Sequence, residues 1–206
     1  SDAVCTFAAI DGDPRWVAPI REGLRDWPMH PTLPRPLMDQ DAWGNEEMNT
    51  TGTYNMCTHF ALACWRAGHL LGDDALKAKA EFILDRYTFP GERDGVWPYR
   101  PGNFPSHHYD MYLKWQLARL LLTGAPRWTQ DAAFLARLRR GIDANLRLYA
   151  KLENGERLFW DWTHSPAATH PANAARHGCI QLETLLAAVL HIDAGYLEPL
   201  TQTLRG

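Results

Sequence analysis

Residues that could carry acid–base chemistry are concentrated in the segment 95–110, which reads GVWPYRPGNFPSHHYD. Its three prolines and two glycines are incompatible with a continuous helix, so the pattern predicts a long loop. Proton abstraction next to a carboxylate needs a base near neutral pKa, a cation that neutralises the acid and a donor for the leaving oxygen. The candidate catalytic residues are His107, His108, Tyr109 and Arg100, and Tyr99 is a candidate for substrate binding.

Each of these residues also has a purely structural interpretation. His107 or His108 could serve as an ordinary capping or surface histidine, and the sequence leaves both readings open. Asp110 is assigned a structural role, because a carboxylate in the first turn of a helix favours the helix dipole and can pair with Lys114 four residues later.

A second group lies in the segment 153–177, which we predict to be another long loop. Trp160 and Trp162 could present an indole to a sugar ring, although anchoring in a core explains them equally well. The candidates for substrate binding in this group are Trp160, Trp162 and Arg176. Three histidines, His164, His170 and His177, are the alternative metal ligands, but spacings of six and seven match no zinc pattern. No cofactor is therefore predicted, while a divalent metal remains an alternative.

A third group lies between Trp43 and Asn49 and leads into the first long apolar segment. Trp43 is a further candidate for substrate binding, and Asn49 fits ordinary helix capping. Glu46 and Glu47 permit a hydrolase, in which a carboxylic acid protonates a leaving oxygen.

Composition and motifs exclude several classes of function. The net charge of −3 argues against nucleic acid or an anionic membrane as an obligate partner. No run of eighteen apolar residues predicts a membrane span. Nucleophile-elbow, phosphate-loop and dinucleotide motifs are absent from the sequence. Nine tryptophans favour cores, interfaces or flat apolar ligands such as sugar rings.

The elements that must position these residues follow a repeated order. Helices that are apolar nearly all round are predicted over 53–71, 109–123 and 179–192, and amphipathic helices follow them over 74–87, 129–150 and 197–204. Short turns would then lie at one end, and the long loops 39–53, 89–108 and 153–177 would meet at the other. We predict one α-helical domain, 1–206, with a helix and an extended lead-in over 1–49 and three helical hairpins over 50–206.

One stretch supports a family resemblance. Phe82-Ile83-Leu84 followed by Asp94-Gly95-Val96-Trp97-Pro98-Tyr99 resembles the Asp-Gly-x-Trp-Pro-Tyr segment that ends an outer helix in α/α-toroid proteins. That superfamily includes terpenoid cyclases and toroidal polysaccharide lyases. The resemblance implies an all-α, α/α-toroid-like array, an incomplete or small barrel of about three hairpins. Toroidal lyases neutralise a uronate with Asn or Arg and use Tyr or His as the base, so the resemblance points to Asn45 or Asn49 acting with His107 or Tyr109.

The expected function is that of a carbohydrate-active enzyme, a lyase or hydrolase acting on an acidic polysaccharide. The alternatives are a non-catalytic half-toroid that binds a glycan or a protein, and a metalloenzyme with histidine ligands. The expected partner is a carbohydrate or other small polar ligand, with a homo-oligomer or a second chain completing a ring. The start at Ser1 without Met fits a secreted or periplasmic product, although an expression scar would look the same.

Overall fold

The computed structural model describes residues 14–37, 52–101, 107–159 and 171–205, without the side chains of 14, 107, 108 and 171–177. This part of the chain is mostly helical, with one small two-stranded sheet, which confirms the all-α prediction at that level. The chain forms two compact units, Ser1–Gly91 and Glu92–Gly206. Each unit is described by itself, and the prediction of a single domain stays a prediction.

In its described residues, the first unit contains three α-helices: α1 (Pro14–Asp26), α2 (Tyr54–Leu71) and α3 (Asp74–Ile83). A π-helical turn (Leu84–Thr88) and a 3₁₀ turn (Phe89–Gly91) continue α3. Gly72 ends α2 at φ 65°, a left-handed conformation that glycine adopts without steric cost. Asp73 then accepts the N–H groups of Ala75 and Leu76 and so caps α3.

Helix α1 is fastened to this hairpin at its C-terminal end. The ammonium of Lys79 donates to the carbonyl oxygens of Leu24, Arg25 and Trp27 at 2.9, 2.9 and 2.7 Å. These oxygens lie at a helix end, where carbonyls have no partner within the helix. One lysine of α3 therefore closes α1.

The parts of the second unit that the structure describes contain five α-helices, a 3₁₀ turn (Ala194–Tyr196) and the sheet. Its elements are α4 (His107–Leu121), α5 (Pro126–Thr129), α6 (Ala132–Leu148), β1 (Ala150–Glu153), β2 (Glu156–Phe159), α7 (Pro171–His191) and α8 (Leu197–Arg205). Asp131 caps α6 by accepting the N–H groups of Ala133 and Phe134, so this helix begins three residues after the predicted start at 129.

Contacts between side chains fix the directions of the three longer helices. Asp110 bonds to Tyr149 and Lys114 to Asn145, so α4 and α6 run antiparallel. Met111 shares a hydrophobic cluster with Ile180, and Trp115 bonds to Glu183 further along both helices. Helices α4 and α7 therefore run in the same direction, as two inner helices of successive hairpins would.

The structure differs from the predicted loop 153–177 at both of its ends. Strands β1 and β2 form an antiparallel hairpin that pairs Ala150 with Phe159. Asn154 and Gly155 turn it with φ of 50° and 81°, because a two-residue hairpin turn of this type needs positive φ at both positions. Helix α7 begins at Pro171 instead of near residue 179.

Three cysteines are free in the structure. Cys57 and Cys64 are buried in α2, and Cys179 is exposed on α7. None of the helices in the described ranges is both long enough and apolar enough to cross a bilayer.

Candidate functional site

Two tyrosine rings form the centre of the candidate site in the second unit. The ring centroids of Tyr99 and Tyr109 lie 4.3 Å apart with an angle of 33° between the planes. Tyr109 stands at the start of α4 and is 37% exposed, while Tyr99 and Arg100 are half-buried. The structure thus brings together three of the predicted site residues.

The electrostatics of the pair determine its protonation. Burial raises the pKa of the Tyr99 phenol, the neighbouring Tyr109 raises it further, and the positive charge of Arg100 acts in the opposite direction. Because the pKa of a free tyrosine is already about 10, Tyr99 keeps its proton at neutral pH. Tyr99 is therefore a hydrogen-bond donor in this site and not a base.

A tight turn ahead of the tyrosine pair sets the position of the loop. Asp94 and Gly95 have φ of 51° and 79°, and Arg93 and Val96 exchange both backbone hydrogen bonds across them. Glu92 accepts the N–H of Gly95 at 2.8 Å and is paired with the guanidinium of Arg140 on α6.

Close contact with α6 explains why glycine stands at position 95. A Cβ at Gly95 would lie 2.3 Å from the carbonyl oxygen of Arg140, which is backbone and cannot move aside. The Asp-Gly pair of the family-like motif is thus a structural turn that presses against α6.

A second anchor lies two residues after the turn. Trp97 is fully buried, and its backbone N–H donates to Oδ1 of Asp110 at 2.8 Å. The other oxygen of Asp110 accepts from the ammonium of Lys114 at 2.6 Å and from the hydroxyl of Tyr149 at 2.8 Å. The predicted pairing of Asp110 with Lys114 is confirmed, but the pair is buried and not at the surface.

The buried hydrogen bonds continue across all three longer helices. Lys114 also donates to Oδ1 of Asn145 at 2.7 Å, and Nδ2 of Asn145 donates to Oε1 of Gln181 at 3.1 Å. Among the described residues the amide nitrogen of Gln181 has no hydrogen-bond partner, although Gln181 is only 1% exposed. We call this hydrogen-bonded set of five side chains the polar relay; its members are Asp110, Lys114, Tyr149, Asn145 and Gln181.

Burial dominates the titration of the relay. Desolvation raises the pKa of Asp110 and lowers that of Lys114, while the attraction between the two charges opposes both effects. Burial, together with the carboxylate of Asp110, also raises the pKa of Tyr149, which stays protonated and donates. Asp110 thus accepts from both Lys114 and Tyr149, while Lys114 also donates to Asn145, and Asn145 in turn donates to Gln181.

Several predicted site residues cannot be placed by this geometry. His107 and His108 form the first turn of α4, and Arg176 and His177 belong to α7, but the side chains of all four lie outside the description. Six others lie outside the described residues: Trp43, Asn45, Trp160, Trp162, His164 and His170. Their assigned roles stay predictions.

Sequence reasoning paired Lys114 with Asp110 but missed Asn145 and Gln181, and it did not connect Lys114 to them. Lys114, Asn145 and Gln181 each occur in a helix whose neighbours along the chain are mostly apolar, and such isolated polar residues are the available signal. A polar side chain buried on the inner side of a helix needs a partner, so three of them on adjacent helices favour mutual contact.

Within the described residues no three His, Cys, Asp or Glu side chains lie close enough to hold a metal ion. Comparison of the chain with family models, with curated proteins and with solved structures finds no match in any of the three. The function is therefore argued from the site itself.

Proposed function

We propose that the protein is a carbohydrate-active enzyme, a lyase or hydrolase, that binds an acidic polysaccharide at the surface formed by Tyr99, Arg100 and Tyr109. The observation that carries the proposal is the packed tyrosine pair with a guanidinium acting on it, at the start of the helix that carries His107 and His108. Aromatic rings bind the apolar faces of sugars, and a guanidinium matches the geometry of a carboxylate.

In the lyase form of the proposal each residue has one task. Arg100 neutralises the uronate carboxylate, and His107 or His108 removes the proton from the adjacent carbon. The electron pair forms a carbon–carbon double bond and expels the glycosidic oxygen. That oxygen takes a proton from Tyr99, whose raised pKa keeps the phenol protonated at neutral pH.

Activity is best tested on a panel of polygalacturonate, alginate, hyaluronan and chondroitin sulfate. A lyase produces an unsaturated uronate that absorbs in the ultraviolet, whereas a hydrolase produces reducing ends without that absorbance. Replacing both His107 and His108 by Ala should abolish turnover and leave the helical circular dichroism unchanged. Unaltered turnover in that variant excludes the histidines from catalysis.

Binding is tested separately with oligosaccharides from the same panel. Tyr109→Ala should weaken affinity at least about tenfold, while Tyr109→Phe, which keeps the ring, should stay near the wild-type affinity. Leu204→Ala is the control, because Leu204 is exposed on α8 and belongs to no part of the site. Equal affinities of the three variants would rule out stacking on Tyr109.

A second candidate, a non-catalytic protein that binds a partner chain, is favoured by one specific observation. Three leucines are exposed near α4 and α7, namely Leu186 and Leu190 on α7 and Leu122 directly after the end of α4. They continue a stripe in which Glu183 contacts both Trp115 and Arg119. Light scattering after size-exclusion chromatography tests this candidate, and a strict monomer argues against it.

A further inference from the structure

We propose that Asp110 is a positioning residue that holds the Tyr99 and Arg100 segment through the backbone N–H of Trp97, with the polar relay fixing Asp110 in turn. The inference rests on the proposed function of that surface. It adds a residue that no substrate touches, and it explains why the centre of the second unit contains a charged pair.

The geometry gives Asp110 two separate attachments. Its Oδ1 accepts only the N–H of Trp97 among the bonds described here, whereas its Oδ2 accepts from Lys114 and Tyr149. One oxygen therefore faces the loop and the other faces the helices. Trp97 precedes Tyr99 by two residues, so a shift of this backbone bond is transmitted directly to the tyrosine pair.

The relay makes the position of Asp110 depend on α6 and α7. Lys114 is pinned between Asp110 and Asn145, and its methylene groups pack against Gly141, where a Cβ would lie 3.3 Å from Cε. Gln181 then orients Asn145 from α7. Side chains with this many fixed contacts have one arrangement, which is what a site needs beneath it.

Stability alone does not require a charged pair in this place. Replacing a buried ion pair by apolar residues of similar volume is often neutral or stabilising, whereas removing one partner is costly. A double replacement therefore separates the two roles. It can preserve the fold and still delete the acceptor of the Trp97 N–H.

The experiment compares Asp110→Leu/Lys114→Met with Asp110→Asn/Lys114→Met. Both remove the two charges, but only the second retains a side-chain oxygen that can accept from Trp97. Both should show the circular dichroism and cooperative unfolding of the wild type. Affinity for the best-bound oligouronide of the panel should fall at least about tenfold in the leucine variant and remain within about threefold of wild type in the asparagine variant.

Equal affinities in the two double variants, whether both high or both low, overturn the inference, because the acceptor would then make no difference. If either double variant fails to fold, Tyr149→Phe takes its place in the comparison. This variant keeps Oδ1 of Asp110, so its affinity should fall less than that of a variant that lacks Oδ1.

Hydrogen exchange of the Trp97 amide gives a readout that does not depend on any ligand. The amide should be protected in the wild type and the asparagine variant and should exchange rapidly in the leucine variant. If no polysaccharide binds the wild type while this exchange pattern holds, the proposed function fails and the anchoring contact stands. Rapid exchange of the wild-type amide overturns the contact itself.

Discussion

At the scale of single residues, the second unit shows how much one carboxylate can organise. Asp110 accepts three hydrogen bonds and is fully buried, so each partner compensates part of the cost of removing its charge from water. An aspartate in the first turn of a helix with a lysine four residues on ordinarily forms a weak surface pair. Here the same pair lies in a core, and Asp110 also accepts from the backbone of Trp97 in the loop and from Tyr149 at the end of α6.

Gly95→Ala should destabilise the protein by about 3 kcal/mol or shift the loop, since the new Cβ adds a backbone clash to the cost of φ 79°. Gly155→Ala is the matched control, because Gly155 has φ 81° and nothing within 4 Å of a built Cβ. It should cost only about 1 kcal/mol. Urea unfolding of both variants measures the difference, and equal losses would show that the contact with Arg140 is not restrictive.

Asp131→Ala should lower the free energy of unfolding by about 1 kcal/mol at pH 7, because the carboxylate caps α6. The N–H of Phe134 holds the pKa of Asp131 below its usual value, although burial opposes this, and Arg127 lowers it further. A depressed pKa stabilises the fold fully above the unfolded pKa of about 3.9, and this stabilisation disappears as the pH falls through the folded value.

The difference in free energy of unfolding between the wild type and Asp131→Ala should therefore become smaller when urea unfolding is repeated from pH 7 down to pH 3. Asp131→Asn keeps a capping oxygen without the charge, so its free energy of unfolding at pH 7 should lie between those of the wild type and Asp131→Ala. A difference in unfolding free energy that grows as the pH falls would contradict the lowered pKa of Asp131.

At the scale of elements, glycine inside a helix has two different meanings in this chain. Gly141 faces the methylenes of Lys114 at 3.3–3.4 Å, whereas Gly23 in α1 has open space around it. Alanine is favoured over glycine in a helix by about 1 kcal/mol, so only local crowding can reverse that preference.

Gly23→Ala should stabilise the protein by about 0.5–1 kcal/mol. Gly141→Ala should instead destabilise it by about 1 kcal/mol, because Lys114 is held at its ammonium and cannot move away. Thermal unfolding of the two variants gives shifts of opposite sign if this reasoning holds. If both Gly23→Ala and Gly141→Ala stabilise the protein, the side chain of Lys114 can move away from the new Cβ at position 141.

The elements themselves were largely predictable from the sequence. Helices α2, α3 and α4 begin within two residues of the predicted positions, because apolar periodicity together with Gly72 and Asp73 specifies where they start and stop. The hairpin of β1 and β2 was missed although Asn154-Gly155 is a strong turn signal, since the segment was interpreted from its aromatic and titratable residues.

The candidate site was predictable only in part. Tyr99, Arg100 and Tyr109 could be grouped because they are close in sequence. The members of the polar relay could not be grouped from the sequence, because Asp110, Asn145 and Gln181 come together only through the packing of α4, α6 and α7. Spacing along one helix identifies partners on that helix and carries no information about the facing one.

At the scale of the whole molecule, the number of cooperative units is open to direct measurement. If the chain is one domain, calorimetry should show one transition whose van't Hoff and calorimetric enthalpies agree, at roughly 140 kcal/mol near 60 °C. Gly23→Ala in the first unit and Gly141→Ala in the second should then both shift that same transition. Two resolved transitions, each moved by one variant only, would contradict the prediction.

The thiol of Cys179 has a practical consequence. It is exposed on α7, whereas the buried Cys57 and Cys64 are shielded from reagents in water, so among the described residues it is the thiol that a maleimide dye can reach. Glu183 lies one helical turn further, about 6 Å along the axis, and bonds to the indole of Trp115. A dye attached to Cys179 would accept excitation energy from the nine tryptophans of the protein, Trp115 among them, and replacing Trp115 by Phe would isolate the contribution of that indole.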